Sequence, residues 1–248
     1  MTAPIGIFDS GLGGLTVRDA VMAALPDHGF LYLGDTANAP YGEKSPEEIV
    51  ALTRASLSIL FDQGCRLIVI ACNTAASIAL RSLQGEGFGD GRRVLGVFVP
   101  VIEDLTGRDW ADTAPPSVTG VKSVLHFATQ ATVENGAFAT EMALRSADTA
   151  VQSIACPGLV DALEAGEADA ADAIATEAVA RGLNRCPAPA AAVLGCTHYP
   201  LVEPAFRAAL PPGTPILSQP RITAERLLDY LQRHPQFPAP GAGTRCLT

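Results

Sequence analysis

The chain has 248 residues, of which 48% are hydrophobic and 17% are charged, and its formal net charge at pH 7 is -9. This length accommodates one large domain or two domains of ordinary size with a substantial hydrophobic core. The acidic balance and the lack of any block rich in lysine and arginine argue against nucleic acid or an anionic membrane as a partner. A small anionic ligand can still be bound by backbone N–H groups.

The sequence shows no targeting or membrane signal. The first residues, MTAPIGIFDSG, lack a basic region, and Asp9 interrupts their apolar run, so they do not resemble a signal peptide. No run approaches the ~18 apolar residues of a membrane helix. The six cysteines have no CxxC pair and no zinc-finger spacing. We therefore expect a cytoplasmic protein with reduced thiols.

In the first half of the chain, short apolar runs that predict buried strands alternate with longer helical patterns. The strand candidates are residues 5–8, 30–34, 66–71 and 93–98. After the second of them, SPEE (45–48) is typical of a helix start, because Ser45 can cap the helix and Glu48 completes a capping box. Strands that alternate with helices predict an α/β fold with mostly parallel sheets.

The second half repeats this alternation. Its strand candidates are residues 122–128, 149–155 and 190–195. The Ala-rich stretch 157–184 is predicted to be helical, and residues 221–234 predict a terminal helix that Pro235 stops. The tail that follows, residues 236–248, is expected to be loose.

Each half contains an early strand that leads into a polar loop and a later strand that ends in a cysteine. The early loops are residues 8–14 (FDSGLGG) and 128–136 (ATQATVENG), and the cysteines are Cys72 and Cys196. In open α/β sheets, ligands bind beyond the carboxyl ends of the strands. Both cysteines are therefore expected to face one cleft.

This repetition predicts a pseudo-duplicated fold of two similar α/β domains, with the active site in the cleft between them. We expect the first domain to comprise residues 1–97 plus 207–248 and the second to comprise residues 98–206. The first would contribute Cys72 to the cleft and the second would contribute Cys196.

Three other kinds of site would use some of the same residues. GLGG after a strand, with Asp35 about twenty residues later, superficially matches a dinucleotide-binding fold. However, Thr16 occupies the third glycine position, and Asp9 would place a negative charge beside the pyrophosphate. A zinc site built from the two cysteines and His198 matches no familiar ligand spacing. A papain-like Cys/His hydrolase needs only one of the cysteines.

Two similar cysteine loops are better explained by a reaction that needs one thiol on each side of its substrate. In a racemisation, a base removes the proton from the α-carbon and an acid on the opposite face delivers another. A thiolate and a thiol suit this reaction if neighbours such as Asp9 and His198 tune their ionisation, because a free Cys has a pKa of about 8.5. A pyridoxal mechanism would need a Schiff-base lysine, and the chain offers only Lys44 and Lys122.

Five segments resemble the cofactor-independent aspartate/glutamate racemase family, and within it glutamate racemase. They are IGIFDSGLGGLTV (5–17), GDTANAPYGEKS (34–45), VIACNTAAS (69–77), ACPGLVDALEAGE (155–167) and LGCTHYPLV (194–202). The resemblance implies conversion of L-glutamate to D-glutamate for peptidoglycan synthesis, with no cofactor and no metal. It also implies a cytoplasmic enzyme that forms a homodimer and whose partner is a small-molecule substrate.

Carried over position by position, the resemblance implies a set of site residues. The catalytic residues would be Cys72, Cys196, Asp9, His198 and Glu164. The substrate-binding residues would be Asp9, Ser10, Pro40, Tyr41, Gly42, Asn73, Thr74, Thr129, Thr132, Thr197 and His198. The resemblance further implies that Cys72 takes the proton from D-glutamate and Cys196 from L-glutamate.

Three departures from the family's common pattern bear on the substrate. Asn38 stands where many members have Arg, Ala131 stands where Gly is usual, and LSQPR (217–221) replaces a common Asp-Ser segment. The first two flank the expected site, so the side-chain preference stays open. The alternatives are a racemase of aspartate or of another acidic amino acid, a non-catalytic protein that binds acidic amino acids, and a dinucleotide-binding enzyme.

Overall fold

The structure is a computed structural model that describes residues 3–109, 112–237 and 244–247. Its strands are Ile5–Asp9 (β1), Phe30–Gly34 (β2), Leu67–Ile70 (β3), Arg93–Gly96 (β4), Ser123–Ala128 (β5), Ala150–Ala155 (β6), Ala191–Gly195 (β7), Ile216–Ser218 (β8) and Thr244–Leu247 (β9). Its α-helices are Leu15–Ala24 (α1), Pro46–Asp62 (α2), Asn73–Ile78 (α3), Leu80–Glu86 (α4), Phe98–Thr106 (α5), Gln130–Asn135 (α6), Ala137–Ala143 (α7), Leu159–Glu164 (α8), Ala168–Arg185 (α9), Glu203–Ala209 (α10) and Gln219–Arg233 (α11). Short 3-10 helices cover Thr36–Asn38, Tyr41–Glu43 and Tyr199–Val202. Within the described ranges, none of the helices combines the length and the apolar character needed to span a membrane.

The strands of the described chain form two sheets. The first sheet has the order β4-β3-β1-β2-β9 and the second has the order β6-β5-β7-β8. Neighbouring strands in both sheets run parallel. The predicted fold class, two α/β domains with parallel sheets, is confirmed.

Each sheet buries apolar side chains on both faces, which is typical of parallel strands covered by helices. In the first sheet, Ile7 and Val69 belong to the cluster that contains Val21 of α1 and Leu227 of α11. Phe8 belongs to a second cluster, formed with residues of α2, α3 and α4. The second sheet likewise contributes to two clusters. Because side chains alternate between the two faces and helices cover both, the carboxyl ends of the strands are left to the loops.

The sequence predicted the first seven strands well, since the ends of β1 to β7 differ from the expected ranges by at most two residues. Helix α2 begins as expected. The hydroxyl of Ser45 accepts the N–H of Glu48 at 3.3 Å, and the N–H of Ser45 donates to the Glu48 carboxylate at 3.0 Å. This capping box fixes the start of the helix.

Two expectations are wrong in detail. The Ala-rich stretch 157–184 is not one helix, because it breaks between α8 and α9 at Gly166, whose φ of 73° favours glycine. The tail, expected to be loose, contains β9, which pairs in parallel with β2. Its residues 238–243 and 248 lie outside the described residues. Backbone pairing with β2 makes Thr244–Leu247 a strand. The local sequence pattern does not reveal this pairing.

The division into residues 1–97 plus 207–248 and residues 98–206 remains a proposal. The packing of α11 supports it, because Ala224 and Leu227 belong to a cluster of the first sheet. In contrast, β8 pairs with β7 in the second sheet, although the division gives residues 216–218 to the first domain. The chain therefore returns to the first sheet after β8.

Candidate active site

The two cysteine loops lie at the carboxyl ends of β3 and β7. Cys72 follows β3 and caps α3, where its sulfur accepts the N–H of Ala75 at 3.4 Å. Cys196 directly follows Gly195, the last residue of β7. Both cysteines line one cavity of about 80 Å³. The fold therefore brings a thiol from each sheet to the same small space.

Burial favours the protonated form of both thiols. Cys72 is 4% exposed and Cys196 is 6% exposed. The pKa of Cys72 is raised to about 11, first by burial and then by the carboxylate of Asp9, although hydrogen bonds with Ser10 and Ala75 lower it. Burial likewise raises the pKa of Cys196. A thiol with a raised pKa is a stronger base once it is ionised, which removal of a weakly acidic C–H proton requires.

Asp9 ends β1 and is fully buried. Its Oδ2 accepts the N–H groups of Gly11 and Gly14 at 3.1 and 3.0 Å, and its Oδ1 accepts the hydroxyl of Thr197 at 3.4 Å. Burial raises the pKa of Asp9, while His198 and these hydrogen bonds lower it. The amides of the GLGG loop thus bind a carboxylate of the chain itself. A pyrophosphate would have to compete with it, which argues against the dinucleotide alternative.

Cys196, His198 and Glu164 are connected by two successive side-chain contacts. Nδ1 of His198 lies 3.9 Å from the sulfur of Cys196, and Nε2 lies 3.0 Å from Oε1 of Glu164. The carboxylate holds the imidazole ring by one nitrogen, so the other nitrogen stays directed to the thiol. This geometry allows the ring to exchange a proton with Cys196.

Three threonine hydroxyls connect the two halves across the cleft. The Oγ1 atoms are 3.0 Å apart between Thr74 and Thr129, 2.9 Å between Thr129 and Thr132, and 3.2 Å between Thr132 and Thr74. Gly42 packs closely on this group, because a Cβ at that position would lie 2.9 Å from Cβ of Thr129. Such neutral hydroxyls can donate to a carboxylate without trapping a proton.

The structure brings most of the predicted site residues to the cavity. Those that line it are Ser10, Pro40, Tyr41, Gly42, Cys72, Asn73, Thr74, Thr129, Glu164, Cys196, Thr197 and His198. Asp9 and Thr132 do not line it, but Asp9 accepts from Thr197 and Thr132 is bonded to Thr129. Ser10 also contacts the first thiol, with its hydroxyl 3.2 Å from the sulfur of Cys72.

Some lining residues were not predicted. They are Gly11, Ala39, Glu43, Gln130, Cys156, Pro157, Gly158, Val160 and Asp161. Residues 156–158 directly follow β6, so the strand-end argument that identified Cys72 would have found them as well. Cys156 is buried, and burial raises its pKa to about 12.

Other candidate features lie away from this cavity. A larger cavity of about 680 Å³ is lined by residues of α4, α5, α7 and α11, and none of the predicted site residues lines it. Lys122 pairs with Asp148 at 2.8 Å, and neither this lysine nor Lys44 lines the small cavity. Over the described part of the chain, no group of three or more His, Cys, Asp and Glu residues is arranged to hold a metal ion.

Comparison with known proteins identifies the family, although protein-family models give no match. A curated glutamate racemase of Ruegeria pomeroyi is 50% identical over 238 residues, which cover 96% of this chain and 88% of the relative. The chain belongs to the glutamate racemase family. A solved glutamate racemase of Bacillus anthracis superposes with a TM-score of 0.85 at 26% identity, over 98% of this chain and 86% of that one. A glutamate racemase of Francisella tularensis in complex with D-glutamate gives 0.84 at 26% identity, over 98% and 87%.

The resemblance indicated by the motifs is therefore confirmed, and two of the departures from the glutamate racemase pattern can be placed. Asn38 donates to both carboxylate oxygens of Asp35 at 2.8 and 3.1 Å, and the hydroxyl of Tyr41 donates to the same carboxylate at 2.7 Å. Ala131 packs against a hydrophobic cluster of the first sheet. Neither Asn38 nor Ala131 lines the cavity. Asn38 and Tyr41 share the carboxylate of Asp35, and Tyr41 lines the cavity.

Gly13→Ala is expected to lower kcat at least about tenfold. A Cβ at Gly13 would overlap Nδ1 of His198 and lie 2.6 Å from Oγ1 of Thr197. Both side chains must therefore move. A shift of about 1 Å at a reacting group can lower the rate about 10²-fold. Steady-state kinetics with L-glutamate measures the effect. Gly85→Ala, where nothing lies within 4 Å of the added Cβ, is the matched control. Wild-type kcat in Gly13→Ala would contradict the role given to this close approach.

Proposed function

We propose that this protein is a glutamate racemase that interconverts L- and D-glutamate with two thiols and no cofactor. The observation that carries the proposal is the convergence of Cys72 and Cys196, one from each sheet, on a single cavity. Glutamate as the substrate is supported by the relatives, one of which was solved in complex with D-glutamate.

In the proposed reaction, one cysteine acts as the base and the other as the acid. The thiolate takes the α-proton, the C–H bond breaks, and its electron pair is delocalised into the α-carboxylate. The thiol on the opposite face then gives its proton to the same carbon, so one sulfur ends protonated and the other ionised. Following the family resemblance, we assign Cys72 to D-glutamate and Cys196 to L-glutamate.

The surrounding groups have two tasks in this proposal. Asp9 tunes Cys72, and the pair of His198 and Glu164 tunes Cys196, which fits their distances and charges. The groups proposed to hold the substrate are Ser10, Pro40, Tyr41, Gly42, Asn73, Thr74, Thr129, Thr132 and Thr197. Backbone N–H groups after the two cysteines stabilise the charge that develops on the α-carboxylate.

The wider role is proposed on the family resemblance. It comprises supply of D-glutamate for peptidoglycan synthesis, a cytoplasmic location and assembly as a homodimer. Sedimentation or light scattering of the purified chain measures its oligomeric state, and a monomer at all concentrations would remove the last of these points.

The proposed reaction predicts that, in D₂O and without added cofactor, L-glutamate becomes D-glutamate that carries deuterium at the α-carbon. The reason is that the proton delivered to the product comes from the second thiol, which has exchanged with solvent. Proton NMR together with chiral chromatography measures both changes. L-aspartate in a parallel assay tests the alternative substrate. Product that keeps its original hydrogen would count against separate acid and base groups, and a complete lack of exchange would remove the enzymatic function.

A further inference from the structure

A buried hydrogen bond connects the candidate active site with the segment LSQPR, in which this chain departs from the family's common pattern. Gln219, the first residue of α11, donates from Nε2 to Oδ1 of Asn73 at 3.1 Å. The two residues are 1% and 4% exposed. Asn73 lines the cavity next to Cys72, whereas Gln219 does not. Gln219 thus reaches the cavity through the amide of Asn73.

This hydrogen bond leaves the donor group of Asn73 unused. Among the described residues, neither Nδ2 of Asn73 nor Oε1 of Gln219 has a hydrogen-bond partner, and both atoms are buried. A buried donor without an acceptor is destabilising, so such groups call for a functional explanation. Since Asn73 lines the cavity, a ligand in the cavity can supply the acceptor.

The two possible orientations of the Asn73 amide have opposite consequences for an anionic ligand. In the observed orientation, the carbonyl oxygen accepts from Gln219 and the NH₂ group remains available. If the amide were turned over, the NH₂ group would donate to Gln219 and the carbonyl oxygen would remain. A carboxylate accepts hydrogen bonds and does not donate them, so only the observed orientation favours it. That orientation requires a donor at position 219.

Gln219 also lies at a crossing between the two halves of the molecule. It follows β8 of the second sheet and begins α11. One turn later, Ile222 packs with residues of the second sheet, and farther along Leu227 packs with the core of the first sheet. Because both halves hold this segment, the donor of Gln219 has a fixed position relative to Asn73.

We propose that Gln219 is a positioning residue that holds the amide of Asn73 with its NH₂ group available to a carboxylate of glutamate. This inference rests on the proposed function, because it takes glutamate as the ligand. Gln219 itself does not touch the substrate, and its effect on binding passes through Asn73.

Gln219→Met keeps the length of the side chain and removes both polar atoms. We expect KM for L- and D-glutamate to rise at least about tenfold, which is typical for loss of a hydrogen bond to a charged group, while kcat changes less. Gln84→Met is the matched control, since Nε2 of Gln84 donates to the carbonyl of Val94 at 3.1 Å and this residue does not line the small cavity. Its KM is expected to equal that of the wild type.

Gln219→Glu tests whether position 219 must donate a hydrogen bond, because a carboxyl group donates when it is protonated and only accepts when it is ionised. The new carboxyl donates to Asn73 only while it is protonated. The ratio of its KM to that of the wild type is therefore expected to rise with pH over roughly pH 6 to 9, where buried carboxyl groups can titrate. A role in packing alone would give a ratio that does not depend on pH.

The Asn73→Ala background decides whether Gln219 acts through Asn73. Asn73→Ala is expected to raise KM, and adding Gln219→Met is expected to raise it no further. An equal rise in both backgrounds, or an unchanged KM in Gln219→Met with only a lower Tm, overturns the proposal. If Gln219→Met does not fold, a pH-independent KM ratio in Gln219→Glu overturns it. If the wild type and Gln84→Met do not racemise glutamate, the proposed function is wrong, whatever the role of Gln219. In that case the effect of Gln219 on binding is measured by the rise of Tm that D-glutamate causes in the wild type and in Gln219→Met.

Discussion

Cys72→Ala and Cys196→Ala are each expected to lower kcat/KM for racemisation of glutamate by about 10²-fold to 10⁴-fold, from either enantiomer. The magnitude is that of a lost general acid or base. Each thiol is needed in both directions, because the one that removes the proton in one direction delivers it in the other. Glutamate binding should persist, since the donors that line the cavity are unchanged. Circular dichroism with pure L- and pure D-glutamate measures racemisation, and ligand-dependent melting measures binding.

The loss must be equal in the two directions for a thermodynamic reason. Enantiomers have the same free energy in water, so the two kcat/KM values of a racemase have a ratio of unity in the wild type and in every variant. Exchange of the α-proton with solvent is not bound by this rule. Cys72→Ala keeps Cys196 and is expected to exchange the α-proton of L-glutamate without inverting it, and Cys196→Ala is expected to do so with D-glutamate. Proton NMR in D₂O distinguishes these cases.

Cys65→Ala is the matched control for both variants. Cys65 is 1% exposed, its pKa is raised to about 11 by burial, and it does not line the cavity. It is expected to racemise glutamate at the wild-type rate with a lower Tm. Racemisation at a near wild-type rate by Cys72→Ala or Cys196→Ala would rule out the two-thiol mechanism. Elemental analysis of the wild type tests the zinc alternative, because a zinc site would lose its metal in both variants.

The sequence predicted β1 to β7 and the cysteine loops because both depend on local signals. An apolar run that is buried on both faces identifies a parallel strand, and a polar residue at its end identifies a loop at the ligand-binding edge. Cys72, Cys196 and Asp9 all follow this rule. β9 could not be predicted in this way, because an edge strand at the chain end is fixed by its partner strand and has little apolar pattern of its own.

Two residues of the hydrogen-bond network of the site, Glu164 and Gln219, were beyond the reach of such local signals. Glu164 lies on α8 and would be an ordinary exposed carboxylate without its 3.0 Å contact to His198. Gln219 carries no motif, and its importance follows only from the contact with Asn73. In both cases the partner is remote in sequence, so no local pattern shows the contact; the family resemblance named Glu164 and His198, but nothing in the sequence pointed to Gln219.

Asp9→Asn is expected to lower kcat by about 10²-fold while Tm at neutral pH stays equal or rises. The substitution keeps the shape of the side chain, and the amide oxygen can still accept the N–H groups of Gly11 and Gly14. Burial raises the pKa of Asp9 in the folded protein. A raised pKa means that the protonated form is the stabilising one, so stability is lost as pH rises through that pKa. The neutral Asn does not suffer this loss, and its advantage should disappear at acidic pH.

The loss of turnover in Asp9→Asn follows from the effect of the carboxylate on Cys72. Asp9 contributes to the raised pKa of this thiol, about 11, so removing the charge lowers the pKa of Cys72. The thiolate is then more abundant at neutral pH, and this gain offsets its weaker basicity toward the α-proton. The loss of turnover therefore comes from the loss of the carboxylate, which can relay the proton of Cys72. Faster alkylation of Cys72 at neutral pH together with slower racemisation is the expected pair of results. A large drop in Tm with normal specific activity of the folded fraction would instead make Asp9 a structural residue, whose carboxylate serves only to hold the GLGG loop.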